Sequence, residues 1–316
     1  MAVKEEFRQF EMEVGEIVEE MRSFTHEGSV ATYIPELRHA DPGTLGCALY
    51  TKNGTCVSFG DGEETFTLQS VSKVVALALA VMDSGEDQVF DKVGMEPTGG
   101  PFYSIARLAL MNSSKPLNPM INAGALTVTS MIGGRTEAEK VERLLRFIRE
   151  LTGNDALTYD SAVAASEFRT ADYNRALAYL LKGEGVIDSD IGIEPLLDVY
   201  TKQCALSMSC CDLARIVFIF GHEGRSPETG EQIVPAPVAR MVKTFMVTCG
   251  MYNESGELAI RAGIPAKSGV SGAILGSVPD GMGIGIYSPA LNEKGNSRAG
   301  VELLKRLSRH FQLSIF

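Results

Sequence analysis

Ser70 and Lys73 stand three residues apart in Phe66-Thr67-Leu68-Gln69-Ser70-Val71-Ser72-Lys73, and an apolar run from Val74 to Met82 follows at once. That run predicts a buried helix, which would hold a serine hydroxyl at its N-terminus with a lysine amine one turn on, the geometry of a Ser-Lys nucleophilic dyad. A chain of this length holds roughly one S-x-x-K by chance, so the pattern alone carries little weight. Two features raise it. No other S-x-x-K occurs in the chain, and a helix N-terminus places the Ser70 N–H and the helix dipole where they could stabilise an oxyanion. Lys267-Ser268-Gly269 is a candidate second element. Glycine in a strand lets an acyl group lie against the backbone, and a following N–H could complete an oxyanion hole; by itself such a tripeptide is most often a turn.

Other chemistries find no pattern to stand on. His26, His39, His222 and His310 are far apart, and the chain has no H-E-x-x-H, no C-x-x-C and no G-x-S-x-G. The glycines at 281–285 lack the G-K-[ST] ending of a phosphate loop and read as structural.

The elements that must position these residues are legible in part. Phe7, Phe10, Val14, Ile17, Met21 and Phe24 recur at three and four, one apolar stripe on an amphipathic helix. Thr44 to Tyr50 and Thr55 to Phe59 flank Asn53-Gly54, the signal of a hairpin with a primed turn. Thr136 and Glu139 form a capping-box signature, followed by a helical stripe from Val141 to Leu151 that stops at Gly153. Ser161 to Leu181 and Glu194 to Phe220 also suit helices, and no comparable strand pattern occurs between about 75 and 235. From Glu257 the β-character returns, with Ala273 to Val278, a Pro279-Asp280-Gly281 turn, and Met282 to Tyr287 alternating at period two. The glycine face of that last strand invites close packing. A closing helix carries Val301, Leu304, Leu307 and Phe311.

The simplest assembly is α+β: one antiparallel sheet built from both ends of the chain, covered by the terminal helices, around a mostly helical insertion. The expected division is an α/β sheet subdomain from 1–70 and 236–316, a helical subdomain from 71–235, and a site at their interface. A chain of 316 residues, 45% hydrophobic and 22% charged, can bury a core of that kind. The net charge of −11 comes with scattered Lys and Arg, which argues against nucleic acid or an anionic membrane and for a small-molecule partner. The first 25 residues carry several acids, unlike a secretion signal, and no apolar run reaches the roughly twenty residues of a membrane span. A cytoplasmic protein is expected, and its six cysteines are expected as buried thiols.

S-x-x-K in the first third with K-S-G in the last quarter resembles the serine β-lactamase and penicillin-binding superfamily, and within it the chain is most similar to the serine-type glutaminases. The segments that carry this are Tyr33-Ile34-Pro35-Glu36-Leu37, Phe66 to Lys73, Glu96-Pro97-Thr98-Gly99 and Asn118 to Ala125. Ser166-Glu167, Asn174 to Tyr179, Cys249-Gly250-Met251-Tyr252, Lys267 to Gly272 and Gly295-Asn296-Ser297 complete the set, in the family's order from residue 28 onward.

The resemblance implies a β-lactamase/transpeptidase-like fold and hydrolysis of the side-chain amide of L-glutamine, with no cofactor or metal. It makes Ser70 the nucleophile and Lys73 its base, with Tyr252 a tyrosine that shuttles protons and Val270 the donor of a second oxyanion N–H. Tyr33, Asn122, Glu167, Asn174 and Tyr200 match positions that grip the amino acid. A carboxylate suits glutamine's α-ammonium, and Asn and Tyr suit its carboxylate and amide. Whether Lys73 or Tyr252 takes the Ser70 proton stays open. The family implies a homodimer or homotetramer. The S-x-N or Y-x-N of the β-lactamases and peptidases is absent. Thr32, Tyr103 and Asp172-Tyr173 depart from the family pattern, which bears on substrate affinity and subunit contacts rather than on the reaction.

Overall fold

The computed structural model describes residues 2–98, 115–278 and 281–316, with side chains from Phe7 onward. Gly99, Tyr103 and the Pro279-Asp280 part of the expected turn lie outside the described residues. The strands are β1 (Gly46–Thr51), β2 (Cys56–Gly60), β3 (Phe66–Thr67), β4 (Ser207–Met208), β5 (Ala266–Ser268), β6 (Ala273–Val278) and β7 (Met282–Tyr287). The helices among the described residues are α1 (Ala2–Met21), α2 (Ser72–Ser84), α3 (Glu86–Lys92), α4 (Asn122–Ser130), α5 (Glu137–Thr152) and α6 (Ser161–Arg169). They continue with α7 (Asp172–Gly183), α8 (Ile193–Cys204), α9 (Cys210–Gly221), α10 (Ala236–Cys249), α11 (Ser255–Arg261) and α12 (Arg298–Phe311).

Both ends of the chain build one antiparallel sheet in the order β2-β1-β7-β6-β5, as the period-two runs predict. The β1–β2 hairpin forms as expected but not through a primed turn: the Gly54 N–H donates to the Thr51 carbonyl, so Lys52 and Asn53 are its central residues, and only Gly54, at φ 73°, is left-handed. One face of the sheet is sealed by the terminal helices. Val14, Ile17, Val18 and Met21 of α1 and Leu303, Leu304 and Leu307 of α12 are buried against Leu49, Ile274, Ile284 and Ile286. The N-terminal stripe is therefore spent largely on the chain's own sheet and closing helix, with the Phe10 ring tilted 57° against that of Phe311, centroids 4.9 Å apart.

The other face receives α9. A Cβ on Gly283 or Gly285 would come within 1.9 Å of the Ala214 carbonyl oxygen and 2.2 Å of that of Cys210, so the glycine face of β7 is what lets this helix sit on the sheet. Behind α9 lies α2, whose residues from Ser72 to Val81 are all buried. A helix so apolar around its whole circumference is a core helix.

Several expectations need correction. The stretch from Ser161 to Leu181 is not one helix: it breaks at Thr170-Ala171, where the Thr170 hydroxyl donates to the carbonyl oxygens of Ser166 (3.1 Å) and Glu167 (3.3 Å). The stretch from Glu194 to Phe220 breaks too. Leu206 accepts from the Leu68 N–H, β4 pairs with β3, and Ser209 with Asp212 forms a full capping box that restarts the chain as α9. A short strand thus lies inside the region read as mostly helical, where no strand pattern was expected. After Glu257 the chain is first helical, in α11, and becomes β only at Ala266. At Thr136 the side chain accepts from the Glu139 N–H as expected, but the Glu139 carboxylate reaches the Arg135 N–H instead.

The cysteines also differ from expectation. Cys56 and Cys211 form a disulfide, because α9 crosses the sheet with its first turn against β2 and brings residues 155 apart in sequence to a Cα separation of 5.9 Å. Cys47, Cys204 and Cys210 are buried thiols, and Cys249 is partly exposed.

Candidate active site

Ser70 lies in a 3₁₀ turn (Gln69–Val71) that runs straight into α2, with Lys73 in the first turn of that helix. The turn is entered through Gln69 at φ 48°, a left-handed conformation uncommon for a residue with a Cβ. β5 lies against it. A Cβ on Gly269 would meet the Leu68 carbonyl oxygen at 2.5 Å and the Ser70 nitrogen at 3.4 Å, so only glycine lets the backbone of 269–270 pass this close to the nucleophile turn. Val270, the next residue, is buried.

Lys73 is 1% exposed. Its ammonium donates to Asn122 Oδ1 at 2.8 Å and to the Met120 carbonyl at 3.2 Å, and Asn122 Nδ2 donates in turn to Asn174 Oδ1 at 3.1 Å. Burial pulls the Lys73 pKa down to about 8, with Cys204 and Glu167 acting the other way. Lys267 is completely buried, its ammonium donating to the Ser268 carbonyl and lying 4.7 Å from the centre of the Tyr252 ring. Burial and then the charge of Lys73 push its pKa well below the ordinary lysine value. Two amines are therefore buried where their pKa values are lowered, Lys73 one helical turn after Ser70 and Lys267 against the Tyr252 ring.

Tyr252, itself left-handed at φ 50°, places its hydroxyl in hydrogen-bonding reach of Ser70; burial raises its pKa and that hydrogen bond opposes the rise. Glu167 on α6 is 8% exposed. Burial raises its pKa to about 7, against hydrogen bonds from Cys204 and Gln69 and the charge of Lys73. A cavity of about 310 Å³ is lined by Tyr33, Asn122, Glu167, Thr170, Tyr173 and Asn174. As a residue Tyr33 is 59% exposed, yet its hydroxyl points inward, where burial and then the Tyr252 and Glu167 oxygens raise its pKa. Tyr200 is buried behind this wall, hydrogen-bonded to Cys204. A larger cavity, about 640 Å³, is lined by Arg22, Glu36, Asp61 and Val270 among others and contains neither Ser70 nor Lys73.

The expected residues thus fall into two connected groups. Lys73, Tyr252 and Val270 lie around the Ser70 turn, Tyr33, Asn122, Glu167 and Asn174 line the smaller cavity, and Asn122 touches Lys73 and so joins the two. Gln69 and Cys204, to which no part was assigned, both contact Glu167. For Gln69 the available signal was its place immediately before Ser70; for Cys204 the sequence carried none. Among the described residues no group of three His, Cys, Asp or Glu could hold a metal ion, and no helix is long and apolar enough to cross a membrane.

Residues 28–316 match the profile of the family described as Glutaminase. The chain is 61% identical to Glutaminase 1 of Halalkalibacterium halodurans, over 95% of this chain and 97% of that protein. It is 56% identical to Glutaminase 2 of Bacillus subtilis, over 96% and 98%. Among solved structures it resembles the covalent complex between the Bacillus subtilis glutaminase YbgJ and 5-oxo-L-norleucine, with a TM-score of 0.88 and 41% identity over 96% of this chain and 99% of that one. The native form of Mglu gives a TM-score of 0.91 at 37% identity, over 97% of this chain and 74% of that one. The α+β architecture with its antiparallel sheet is accordingly the β-lactamase-like fold. At these identities and over this much of the chain, the chain belongs to the glutaminase family and is an amidohydrolase.

Proposed function

We propose that this protein hydrolyses the side-chain amide of L-glutamine to L-glutamate and ammonia through an acyl-enzyme on Ser70. The observation that carries the reading is the polar chain from Lys73, one helical turn after Ser70, through Asn122 to Asn174 at the cavity that Glu167 also lines. Glu167 receives the α-ammonium, Tyr33, Asn122 and Asn174 orient the rest of the amino acid, and Tyr200 supports them from behind.

Ser70 Oγ attacks the amide carbon while its proton passes to Lys73 or Tyr252. The oxyanion is held by the N–H groups of Ser70 and Val270, an arrangement supported by the close passage of Gly269 along the Ser70 nitrogen. Return of the proton to the amide nitrogen breaks the C–N bond and releases ammonia. Water then adds to the Ser70 ester, giving its proton back through the same groups, and glutamate leaves. Lys73, drawn towards neutrality by burial, is suited to accept the first proton, and Tyr252 to relay it. The same reading places the boundaries of a sheet subdomain and a helical subdomain near 70 and 236, supported by the main sheet drawing all its strands from outside 71–235. L-Glutamine is the one partner proposed.

The test is release of ammonia and glutamate from glutamine, run beside asparagine. Turnover of glutamine is expected, with Ser70→Ala reducing it by about 10⁴-fold or more; ammonia release retained by that variant would end the acyl-enzyme mechanism.

A further inference from the structure

Gly295-Asn296-Ser297 is a sequence block to which the mechanism assigns no task, and its central side chain lies directly behind the catalytic tyrosine. Asn296 is completely buried. Its Nδ2 donates to the Met251 carbonyl at 3.2 Å and also to Glu254 Oε2. Asn292 Nδ2 donates to that same carboxylate oxygen at 2.9 Å, while Asn292 Oδ1 accepts from the Asn296 N–H at 3.1 Å. The two amides and the carboxylate therefore bracket Tyr252, one contact on the residue before it and the others two residues after.

Tyr252 needs such a bracket. Its φ of 50° is the left-handed conformation, which a bulky residue keeps only when its surroundings over-determine it. The local turn supplies part of the hold: Ser255 Oγ accepts from the Met251 N–H and donates to the Tyr252 carbonyl, both at 3.0 Å. These bonds close the turn on itself. Ahead of the turn, the Gly250 carbonyl accepts from the Ser268 N–H of β5 at 3.1 Å; on its far side Asn296 ties it to the closing helix, since Ser297 beside it caps α12 through the Gly300 N–H at 3.1 Å. The same loop runs beside the ring, where a Cβ on Gly295 would make only ordinary contact, 3.9 Å from the Tyr252 ring edge.

We propose that Asn296, acting with Glu254 and Asn292, is a positioning residue for the amide hydrolysis: it holds Tyr252 in the left-handed conformation that brings its hydroxyl to Ser70. This rests on the reading of Tyr252 as a proton-transferring group.

The experiment is a double-mutant cycle of Asn296→Ala with Tyr252→Phe, read as kcat and KM for glutamine. Misplacing a proton-transfer group by a fraction of an ångström lowers kcat alone, so Asn296→Ala is expected to reduce kcat about tenfold with KM changed less than about twofold. That loss is expected to vanish in the Tyr252→Phe background. Glu254→Gln keeps an acceptor oxygen for both amides and should stay near the parent, whereas Glu254→Ala should behave as Asn296→Ala does; this pair gives the same reading if Asn296→Ala fails to fold. The second readout needs no turnover. In protein carrying ¹³Cζ-tyrosine, with the Tyr252 resonance assigned by its loss in Tyr252→Phe, Asn296→Ala is expected to shift that resonance. Equal losses in both backgrounds, a raised KM at constant kcat, or an unmoved Tyr252 resonance would each overturn the proposal. Full activity of Tyr252→Phe would instead remove the role given to Tyr252, and the resonance would still report whether Asn296 positions it.

Discussion

The two walls of the site use burial to opposite ends. On the α2 side, Lys73 is enclosed by an apolar core helix, and the loss of water lowers its pKa to about 8, bringing a reactive amine near physiological pH. On the α6–α7 side, Glu167 is enclosed almost as fully, and the same loss of water raises its pKa to about 7, so in the empty site the carboxyl is held close to protonation. On the proposed mechanism, one physical term thus draws a base towards its neutral form and leaves an acid waiting for a cation. The α-ammonium of an arriving amino acid is that cation, and its charge would return Glu167 to the carboxylate form. On the proposed mechanism the fold alone sets the catalytic wall, and substrate completes the recognition wall.

The largest effect expected from breaking this contrast lies on the catalytic wall. Lys73→Met keeps the length and apolar packing of the side chain but removes the amine. It should lower kcat by about 10³-fold, within the range for a lost acid-base group, with KM little changed. A comparable rise in KM instead would mean that Lys73 serves recognition, and the two walls would no longer differ.

On the recognition wall the signature is reversed. Glu167→Gln retains the shape and loses the charge, so KM for glutamine should rise about tenfold to a hundredfold, the worth of a charge-assisted hydrogen bond, with a smaller change in kcat. The parent's kcat/KM should also rise with pH. Below about 7 Glu167 is protonated and below about 8 Lys73 is charged, so each loses its competent form as pH falls, by up to about tenfold per pH unit per group. Glu167→Gln should remove the limb near 7 and leave the limb near 8. A profile with both limbs intact would assign the lower one elsewhere.

How much of this contrast could be read in the chain depended on whether a residue's setting is local. Ser70 and Lys73 announce themselves because an apolar run follows at once, and the β7 glycines because they alternate within a strand. The break at Thr170 left no trace, since the apolar spacing of Val163, Ala164, Leu177 and Ala178 runs on across it. Yet that break directs Glu167 and Asn174, from two helices, at one cavity. The restart at Ser209 was hidden in the same way, although its S-x-x-D spacing is a local cap signal once the Asp variant is allowed. Left-handed Gln69 and Tyr252 carry no glycine to mark the turn, because tertiary contacts rather than composition hold them there. The Cys56–Cys211 bond joins an edge strand to a helix, and only the packing of α9 on the sheet brings its ends together. What sequence spacing reveals is the periodic part of the fold; the site is built largely where periodicity is interrupted.

The smallest effect expected separates the walls by stability rather than rate. A carboxyl whose folded pKa is raised from 4.5 to about 7 favours the folded state fully below 4.5, and that contribution is lost as pH rises through 7. At pH 8 the buried charge of Glu167 therefore works against folding, and at pH 5 it does not. Glu167→Gln should raise the melting temperature by a few degrees at pH 8 relative to the parent, an increment of about 1 kcal/mol in a chain of this size, and the gain should shrink or vanish at pH 5. Thermal unfolding in the two buffers measures it. Loss of stability at pH 8 would mean that the hydrogen bonds from Cys204 and Gln69 outweigh the cost of the buried charge. The recognition wall would then be held ionised and in place before substrate arrives, and the difference from the catalytic wall would lie in chemistry alone.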